Sequence, residues 1–314
     1  MQGSRSQGRA IRMDQPLCHS CKLGIVHFMA WPQCLTGAGP ILESIAALAT
    51  DTDFEVAEIT RIRDPGVRRE VRAIAEQARL ELVYAAQPVI LTDKLDPNSV
   101  NPEARRRAVD ALKAEIELAY QMQAVGFAFM SGKDPGSAGR AAAVAAFLHT
   151  CEELCEHAAG LGSMPVLLES FDRDVDKRAL VGPNHLAADI AATLARDNFG
   201  LLVDLSHLPL QAEAIDEALA AVRPHLRHAH MGNCLLGRPD DPACGDQHPR
   251  FGYPNSEIDV PQLTAYLQGL LQIGYLRPDR RPVLSFEVKP MPGESTHAVI
   301  ANAKRTLRQA WLAV

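Results

Sequence analysis

The stretch "GLLVDLSHLPL", residues 200–210, joins an apolar run to two polar side chains, Asp204 and His207. Such a run is typical of a buried parallel strand, because helices cover both faces of that strand and its sequence is continuously apolar. A carboxylate and an imidazole that follow a buried strand directly indicate a functional site at its carboxyl end.

Eight runs of this type alternate with helical stretches rich in Ala and Leu from residue 22 onward. The alternation predicts βα units with a parallel sheet, and eight units are the number that closes a (β/α)8 TIM barrel. An open, doubly wound sheet is the rival, but no G-x-G-x-x-G motif follows the first run. The predicted strand runs are residues 22–31, 54–62, 81–91, 124–132, 164–171, 199–207, 226–233 and 281–290.

The sequence predicts one folded domain with a leader in front of it. Residues 1–21 contain basic residues but no apolar segment behind them, so we expect a disordered leader, not a secretory signal, with Met13 as an alternative start. Residues 22–314 are predicted to form a single barrel. A long charged loop, residues 234–257, follows the seventh strand and is predicted to act as a lid or a substrate clamp.

Composition excludes several classes of partner. The chain of 314 residues is 47% apolar and 22% charged, with a net charge of −6 at pH 7. It has no sustained Lys/Arg cluster, whereas a nucleic-acid-binding protein would carry a basic patch or stripe. Its apolar runs are too short to cross a bilayer. We therefore expect neither a nucleic acid nor a membrane as partner.

The seven cysteines are odd in number and scattered through a large chain. This usage favours reduced thiols in a cytoplasmic protein over a disulfide framework. Cys18 and Cys21 form the motif "CHSC", but a structural zinc site needs four ligands and no second pair of this kind exists. We interpret the two as incidental thiols.

Polar side chains end four successive predicted strands: Glu169, Asp204, His230 and Glu287. In a TIM barrel the carboxyl ends of the strands meet at one mouth, so we expect these four side chains to lie close together. Three converging carboxylates repel one another unless a cation neutralises them, and no Arg lies at these strand ends. Three carboxylates with one imidazole suit Mn²⁺ best, with Mg²⁺, Co²⁺ or Zn²⁺ as alternatives.

These strand ends carry the motifs "LLES", "VDLSH", "HAHMGN" and "SFEVKP". With them, the chain resembles the xylose isomerase-like TIM-barrel superfamily, which includes ketose 3-epimerases, inosose-processing enzymes and endonuclease IV-type nucleases. The segment "FGYPNSEIDVPQL" is also similar to a family pattern, although Asn255 and Ser256 stand where relatives often have glycine. The resemblance extends over nearly the whole chain from residue 22.

The resemblance implies a divalent-metal-dependent sugar isomerase or epimerase. In such enzymes Glu169 and Glu287 would lie on opposite faces of a substrate carbon and exchange its proton through a metal-stabilised enediolate. His207 matches the D-x-x-H motif, whose histidine contacts substrate oxygens. Relatives of this size commonly pair through their outer helices, so the resemblance also implies a homo-oligomer as an alternative to a monomer.

Other polar residues are candidates for contact with a sugar or keto-sugar substrate. Lys289 and Arg250 are the candidate cations for an oxygen-rich substrate, and His248 belongs to the charged loop. His228 has the strand phase of His230, so it either supports a ligand or belongs to the barrel core. Glu58 and His27 are possible contacts at the rim, with surface ion pairing as an equal explanation.

Three alternative functions remain at this stage. A lyase or dehydratase acting on a 3-keto-glycoside, an inosose or a dehydroshikimate-like acid would use the same ligands and the same first proton abstraction. An abasic-site nuclease would need additional metal ligands and a cationic surface, and the acidic balance opposes it. A non-catalytic sugar-binding barrel would not need the glutamate pair at the mouth.

Overall fold

The computed structural model describes residues 15–314 and confirms the predicted (β/α)8 barrel. Within these residues, eight parallel strands pair in chain order and close on themselves, β1 against β8. The strands are β1 (Lys22–Val26), β2 (Val56–Ile59), β3 (Glu81–Ala85), β4 (Phe127–Met130), β5 (Val166–Glu169), β6 (Phe199–Asp204), β7 (Leu226–Gly232) and β8 (Val283–Glu287).

Helices cover the outside of the barrel, and short helices also lie at its mouth. They are α1 (His27–Ala30), α2 (Ile41–Ala49), α3 (Pro65–Ala78), α4 (Gln87–Thr92), α5 (Pro102–Gln121), α6 (Ser137–Leu161), α7 (Asn184–Leu194), α8 (His207–Leu210), α9 (Ile215–Val222), α10 (Val260–Gln272) and α11 (Thr296–Leu312). None of the helices within residues 15–314 is both long and apolar enough to span a membrane.

Helix starts follow from local sequence. Asp64 precedes α3, and its Oδ1 accepts a hydrogen bond of 2.6 Å from the backbone N–H of Gly66. The Asn101 side chain caps the amino end of α5 in the same way, and each cap is followed by a proline at the first helical position. A side-chain acceptor plus a residue with a fixed φ satisfies the free N–H groups of the first turn, so these helices begin where the sequence indicates.

All eight strands are shorter than their predicted runs, and two of these runs continue into a short helix. β1 ends at Val26 and α1 follows at once, and β3 ends at Ala85, two residues before α4. Both short helices are largely buried at the barrel mouth, so their sequences are as apolar as the strands they follow. Hydrophobicity alone does not separate a short buried helix from the end of a buried strand.

The described part of the predicted leader, residues 15–21, packs against the barrel. Residues 1–14 lie outside the described part of the chain, but Leu17–His19 forms a 3₁₀ turn and Cys21 is fully buried. Arg281 donates hydrogen bonds to the carbonyl oxygens of Cys18 and Cys21. Residues 15–21 therefore contact the amino end of the barrel, which the local sequence did not indicate because the segment is short and mixes polar with apolar residues.

Candidate metal centre

The four predicted ligands lie at the carboxyl ends of neighbouring strands. Glu169, Asp204 and Glu287 are the last residues of β5, β6 and β8. In the register of the sheet, Asp204 lies opposite His230 of β7, and Gly232 of β7 lies opposite Glu287. Register therefore brings side chains that are up to 118 positions apart in sequence to one edge of the barrel.

Each of the four side chains offers one ligand atom, and these atoms all lie within 4.8 Å of one another. Nδ1 of His230 is 2.8 Å from Oε2 of Glu287, 3.5 Å from Oε1 of Glu169 and 3.9 Å from Oδ2 of Asp204. All four residues are buried, with Glu287 the most exposed at 8%. The structure thus assembles a compact group of three oxygen donors and one nitrogen donor.

The donor set fits a divalent cation. Among the described residues, Oε1 of Glu169 and Oδ2 of Asp204 are buried without any hydrogen-bond partner. A buried carboxylate oxygen without a partner is costly, and a cation at the centre of the group would satisfy both atoms. Hard oxygen donors with one imidazole suit Mn²⁺ or Mg²⁺ better than a thiolate-bound ion.

The pKa values of two of the carboxyl groups, Asp204 and Glu287, are shifted in opposite directions. Burial raises the pKa of Asp204 above its ordinary value, despite the opposing effect of His207. Burial also disfavours the charged form of Glu287, but His248 and His230 outweigh it and lower the pKa of Glu287. A bound cation would favour the ionised form of both carboxyl groups, as a ligand role requires.

The Glu58 carboxylate lies between His230 and a second histidine, His228. Oε1 of Glu58, on β2, is 3.1 Å from Nε2 of His230 and 2.8 Å from Nε2 of His228. Glu58 is fully buried; burial opposes its ionisation, but the two histidines lower its pKa well below the ordinary value. A carboxylate on the far nitrogen fixes the ring orientation of a metal-binding histidine. The alternative of surface ion pairing for Glu58 is therefore wrong.

Neighbouring groups also orient two of the carboxylates. Oδ1 of Asp204 accepts hydrogen bonds from the backbone N–H of Ser206 at 2.6 Å and of Gly232 at 3.1 Å. A Cβ on Gly232 would lie 2.9 Å from both oxygens of Asp204, so only glycine allows this approach. Nε2 of Gln87 donates to Oε2 of Glu169 at 2.7 Å.

A cavity of about 190 Å³ opens above the four ligands. Glu169, His230 and Glu287 line it, whereas Asp204 does not. The lining includes the polar side chains Lys177, Asp246, Gln247, His248 and Lys289 and the apolar side chains Val26, Phe28, Met29, Leu35, Ala85, Pro88 and Leu91.

The structure brings three of the five predicted substrate-binding residues to this region. His248 and Lys289 line the cavity, and Nζ of Lys289 donates to Oε1 of Gln247 at 2.5 Å. Burial and the charge of Lys177 lower the pKa of Lys289. His207 begins α8 beside the cavity, with its ring centroid 4.4 Å from that of Phe171.

The other two predicted substrate contacts lie elsewhere. Nε of Arg250 pairs with Oε1 of Glu294 at 2.9 Å, and its NH1 donates to the carbonyl of Gly252, so the guanidinium fastens the loop and does not line the cavity. His228 lies beneath His230 and contacts Glu58. Of its two predicted roles, the support of a ligand residue fits this position.

His27 is also not a rim contact. Its Nε2 is 2.7 Å from Oγ of Ser44, and its ring stacks on Trp31 at a centroid distance of 5.6 Å. Burial lowers the pKa of His27 to about 4, so the ring is neutral at pH 7. It is a core residue between β1 and α2.

The loop of residues 234–257 folds inward across the mouth. Leu235 bridges to Cys244 and Gly245, and Oδ1 of Asn233 accepts hydrogen bonds from the N–H groups of Cys234 and Ile258. These contacts place Asp246 inside the mouth, where its carboxylate is 2.9 Å from Nζ of Lys177.

Lys177 could not be predicted as a cavity residue from the sequence, because it belongs to a loop of mixed charge, "FDRDVDKRAL", with no pattern to separate it from solvated residues.

Comparison with known proteins places the chain in a family. The family described as the xylose isomerase-like TIM barrel matches residues 46–309. The chain belongs to the xylose isomerase-like TIM-barrel family. No curated protein sequence matches the chain significantly.

Other members of this fold have been solved. An L-ribulose 3-epimerase is 17% identical, with a TM-score of 0.69, and the match covers 92% of this chain and 95% of that one. A 3-keto-D-glucoside 4-epimerase from E. coli is 16% identical, with a TM-score of 0.66 and coverages of 92% and 99%. An AP endonuclease of family 2 from Brucella melitensis is 16% identical, with a TM-score of 0.63 and coverages of 91% and 98%. At these identities the likeness establishes the shared fold.

Proposed function

We propose that the protein is a divalent-metal-dependent sugar isomerase or epimerase. The observation that carries the proposal is the convergence of ligand atoms from Glu169, Asp204, His230 and Glu287 within 4.8 Å, beside a cavity that three of the four residues line. We propose Mn²⁺ as the cation, since oxygen donors predominate in the set. Bound there, the cation supplies a Lewis acid that makes a proton beside a substrate carbonyl more acidic.

Glu169 and Glu287 are the proton-transfer pair in this proposal. They project from β5 and β8, so the strands that carry Asp204 and His230 lie between them. Both glutamates line the cavity, so both are accessible to a bound substrate, unlike Asp204. One carboxylate removes the proton from one face of the carbon, and the other returns a proton to the opposite face. The hydrogen bond from Gln87 fixes the Glu169 carboxylate for this role.

The cavity walls support a carbohydrate substrate. Lys177, Lys289 and His248 line the cavity and supply hydrogen-bond donors for hydroxyl groups and a developing oxyanion. The apolar side chains of the lining suit the C–H groups of a sugar. Among the structural neighbours, the L-ribulose 3-epimerase and the 3-keto-D-glucoside 4-epimerase are named for reactions on such molecules.

Deuterium exchange tests the proposal directly. The protein is incubated with Mn²⁺ in D₂O and with ketopentoses, ketohexoses and 3-keto-glucosides in turn, and products are analysed by mass spectrometry. We expect one deuterium per molecule in a product epimer or isomer, with no substituent lost. Glu169→Gln and Glu287→Gln should each slow the exchange by about 100-fold or more, because general acid–base catalysis contributes about 10²- to 10⁴-fold.

Glu156→Gln is the matched control, because Glu156 lies on the outer helix α6, its side chain is 62% exposed and it does not line the cavity. It should leave the exchange rate within about twofold of the wild-type rate. Elimination of a β-substituent would replace the epimerase proposal with the lyase alternative. Exchange at the wild-type rate in both glutamine variants would overturn the assignment of the proton-transfer pair.

A further inference from the structure

Four arginines line a groove at the amino end of the barrel, which we call the arginine groove. Arg223 follows α9 directly, and Arg227 is the second residue of β7. Arg277 and Arg280 belong to the loop between α10 and β8. The groove has a volume of about 800 Å³, and the rest of its lining is Tyr275, one glycine and four apolar residues. In the described part of the chain, no acidic side chain lines it.

The arginine groove is remote from the candidate metal centre. The segments that form it lead into β7 and β8, whereas His230 and Glu287 lie toward the carboxyl ends of the same strands. The sequence did not predict this cluster, because Arg227 and Arg277 are 50 positions apart. Pairing of β7 with β8 brings the two pairs of arginines together. A ligand of this groove would therefore bind outside the cavity of the proposed function.

The positive charge of the arginine groove is largely uncompensated. Within residues 15–314, Arg277 is the member of the group that forms an ion pair, with Asp279 at 2.7 Å, and that carboxylate is 65% exposed. The chain as a whole has a net charge of −6, so an excess of acidic residues was available to neutralise the others. Cations gathered in one groove repel one another, and a bound anion would relieve that repulsion.

Two of the four guanidinium groups are held in place by the protein. NH2 of Arg227 donates to the carbonyl oxygen of Asp197 at 2.6 Å, and its aliphatic stem lies against β6, where a Cβ on Gly200 would be 2.4 Å from Cδ of Arg227. Nε and NH2 of Arg277 donate to the carboxylate of Asp279 at 2.9 Å and 2.7 Å. Groups that are already fixed lose less entropy when a ligand binds.

We propose that the arginine groove binds a small molecule that carries two or more phosphate groups. Arginine remains charged at physiological pH, and its guanidinium fork matches the oxygens of a phosphate in bidentate pairs. A groove of about 800 Å³ has the size of a site for a small organic ligand. The ring of Tyr275 and the apolar residues of the lining suit the organic part of such a molecule, beside its phosphates.

Stabilisation of a helix end is the structural alternative. Arg223 is the C-cap residue of α9, where a cation interacts favourably with the helix dipole. This role would explain Arg223 alone, since Arg227 lies in a strand and Arg277 is five residues beyond the end of α10. It predicts that removal of Arg223 lowers stability and leaves the binding of anions unchanged.

Calorimetric titration with ADP, AMP and inorganic tripolyphosphate separates the two accounts. We expect the full chain to bind ADP and tripolyphosphate at one site, and AMP at least about 10-fold more weakly than ADP, because each charge-assisted contact contributes about 10-fold or more. Arg223→Ala combined with Arg280→Ala should weaken ADP binding by about 10-fold or more for the same reason. Glu169→Gln should bind ADP as the wild type does, because Glu169 belongs to the metal centre at the other end of the barrel.

Arg107→Ala combined with Arg305→Ala is the matched control, because both are exposed arginines on the outer helices α5 and α11. It removes the same charge and should keep the ADP affinity within about twofold. Circular dichroism and thermal unfolding report whether each variant is folded. Absence of ADP binding to the wild type, equal affinity for AMP and ADP, or an equal loss in both double variants would overturn the proposal. A folded groove variant that binds ADP as tightly as the wild type would also overturn it and leave the helix-end role.

Discussion

At the scale of single residues, the orientation of the ligand side chains in the candidate metal centre depends on residues outside the cavity as well as on residues that line it. Gly232 permits a backbone N–H to approach Asp204, and Gln87 holds Glu169. None of these contacts is visible in a motif, because each joins strands that are far apart in sequence. They nevertheless determine where the ligand atoms point.

Glu58 provides a test of this dependence. Glu58→Gln removes the charge that faces Nε2 of His230 and Nε2 of His228, while it keeps the shape of the side chain. We expect metal affinity to fall by about 10- to 100-fold, which is the usual effect of removing a carboxylate behind a metal-binding histidine. Isothermal titration with Mn²⁺ measures the change.

The control for this experiment is Glu55→Gln. Glu55 lies one residue before β2, its side chain is 35% exposed, and it pairs with Arg281 at the amino end of the barrel. Metal affinity should be unchanged in that variant. An equal loss of affinity in both variants would show that Glu58 acts through general destabilisation and not through the orientation of His230.

At the scale of elements, ion pairs join the two longest helices. Glu153 of α6 pairs with Arg105 at 2.8 Å, with Arg106 at 2.9 Å and with Lys113 at 3.2 Å, all on α5. Burial alone would raise its pKa, but these three cations lower the pKa of Glu153 from 4.5 to about 2. The glutamate therefore stabilises the helix pair only when it is ionised.

The folded-state pKa lies below the unfolded-state value, so this contribution is complete above about pH 4.5 and is lost as the pH falls toward 2. Glu153→Gln should lower the free energy of unfolding by about 1 kcal/mol at pH 7, after allowance for solvent screening of a partly exposed group. The difference from wild type should shrink between pH 4.5 and pH 2. Urea unfolding across this range measures both quantities.

The neighbouring residue supplies the control. The Glu152 side chain is 50% exposed, and within residues 15–314 its ion-pair partners are His149 and Arg196, at distances near 4 Å. Glu152→Gln should change the stability by less than about 0.5 kcal/mol at any pH, as is typical of surface substitutions. A difference between Glu153→Gln and wild type that stays constant with pH would contradict the electrostatic account.

At the scale of the whole molecule, closure of the barrel requires one very small residue. Gly24 of β1 lies between Ser285 of β8 and Val56 of β2, its partners in the sheet register. A Cβ at this position would be 2.2 Å from Oγ of Ser285 and 3.1 Å from Cβ of Val56. The interior has no room for a methyl group where the first and last strands meet.

Two glycine substitutions with opposite expected signs test this point. Gly24→Ala should lower the free energy of unfolding by about 1–3 kcal/mol through overpacking. At Gly160, in the last turn of α6, a Cβ would meet no atom within 4 Å among the described residues beyond its own helix backbone, so Gly160→Ala should raise the free energy of unfolding by up to about 0.5 kcal/mol, because alanine loses less backbone entropy in a helix. Thermal and urea unfolding give both values, and equal stability of the two variants would refute the packing argument.

The sequence by itself determined the barrel and the four residues Glu169, Asp204, His230 and Glu287 that meet at its mouth. Both conclusions rest on local patterns, since apolar runs alternate with helices and each polar residue stands at the end of its own run. In a parallel barrel the carboxyl ends of all strands meet at one mouth, so a residue at the end of an apolar run is expected to lie at that mouth.

Only the tertiary structure decided which loop side chains enter the mouth. His248 and Arg250 are two residues apart, yet His248 lines the cavity while Arg250 turns away to Glu294. Asp246 meets Lys177, which is 69 positions away, and His207. A loop has no periodicity from which the direction of a side chain follows, so its direction is set by the backbone bridges and distant partners that form when the barrel closes.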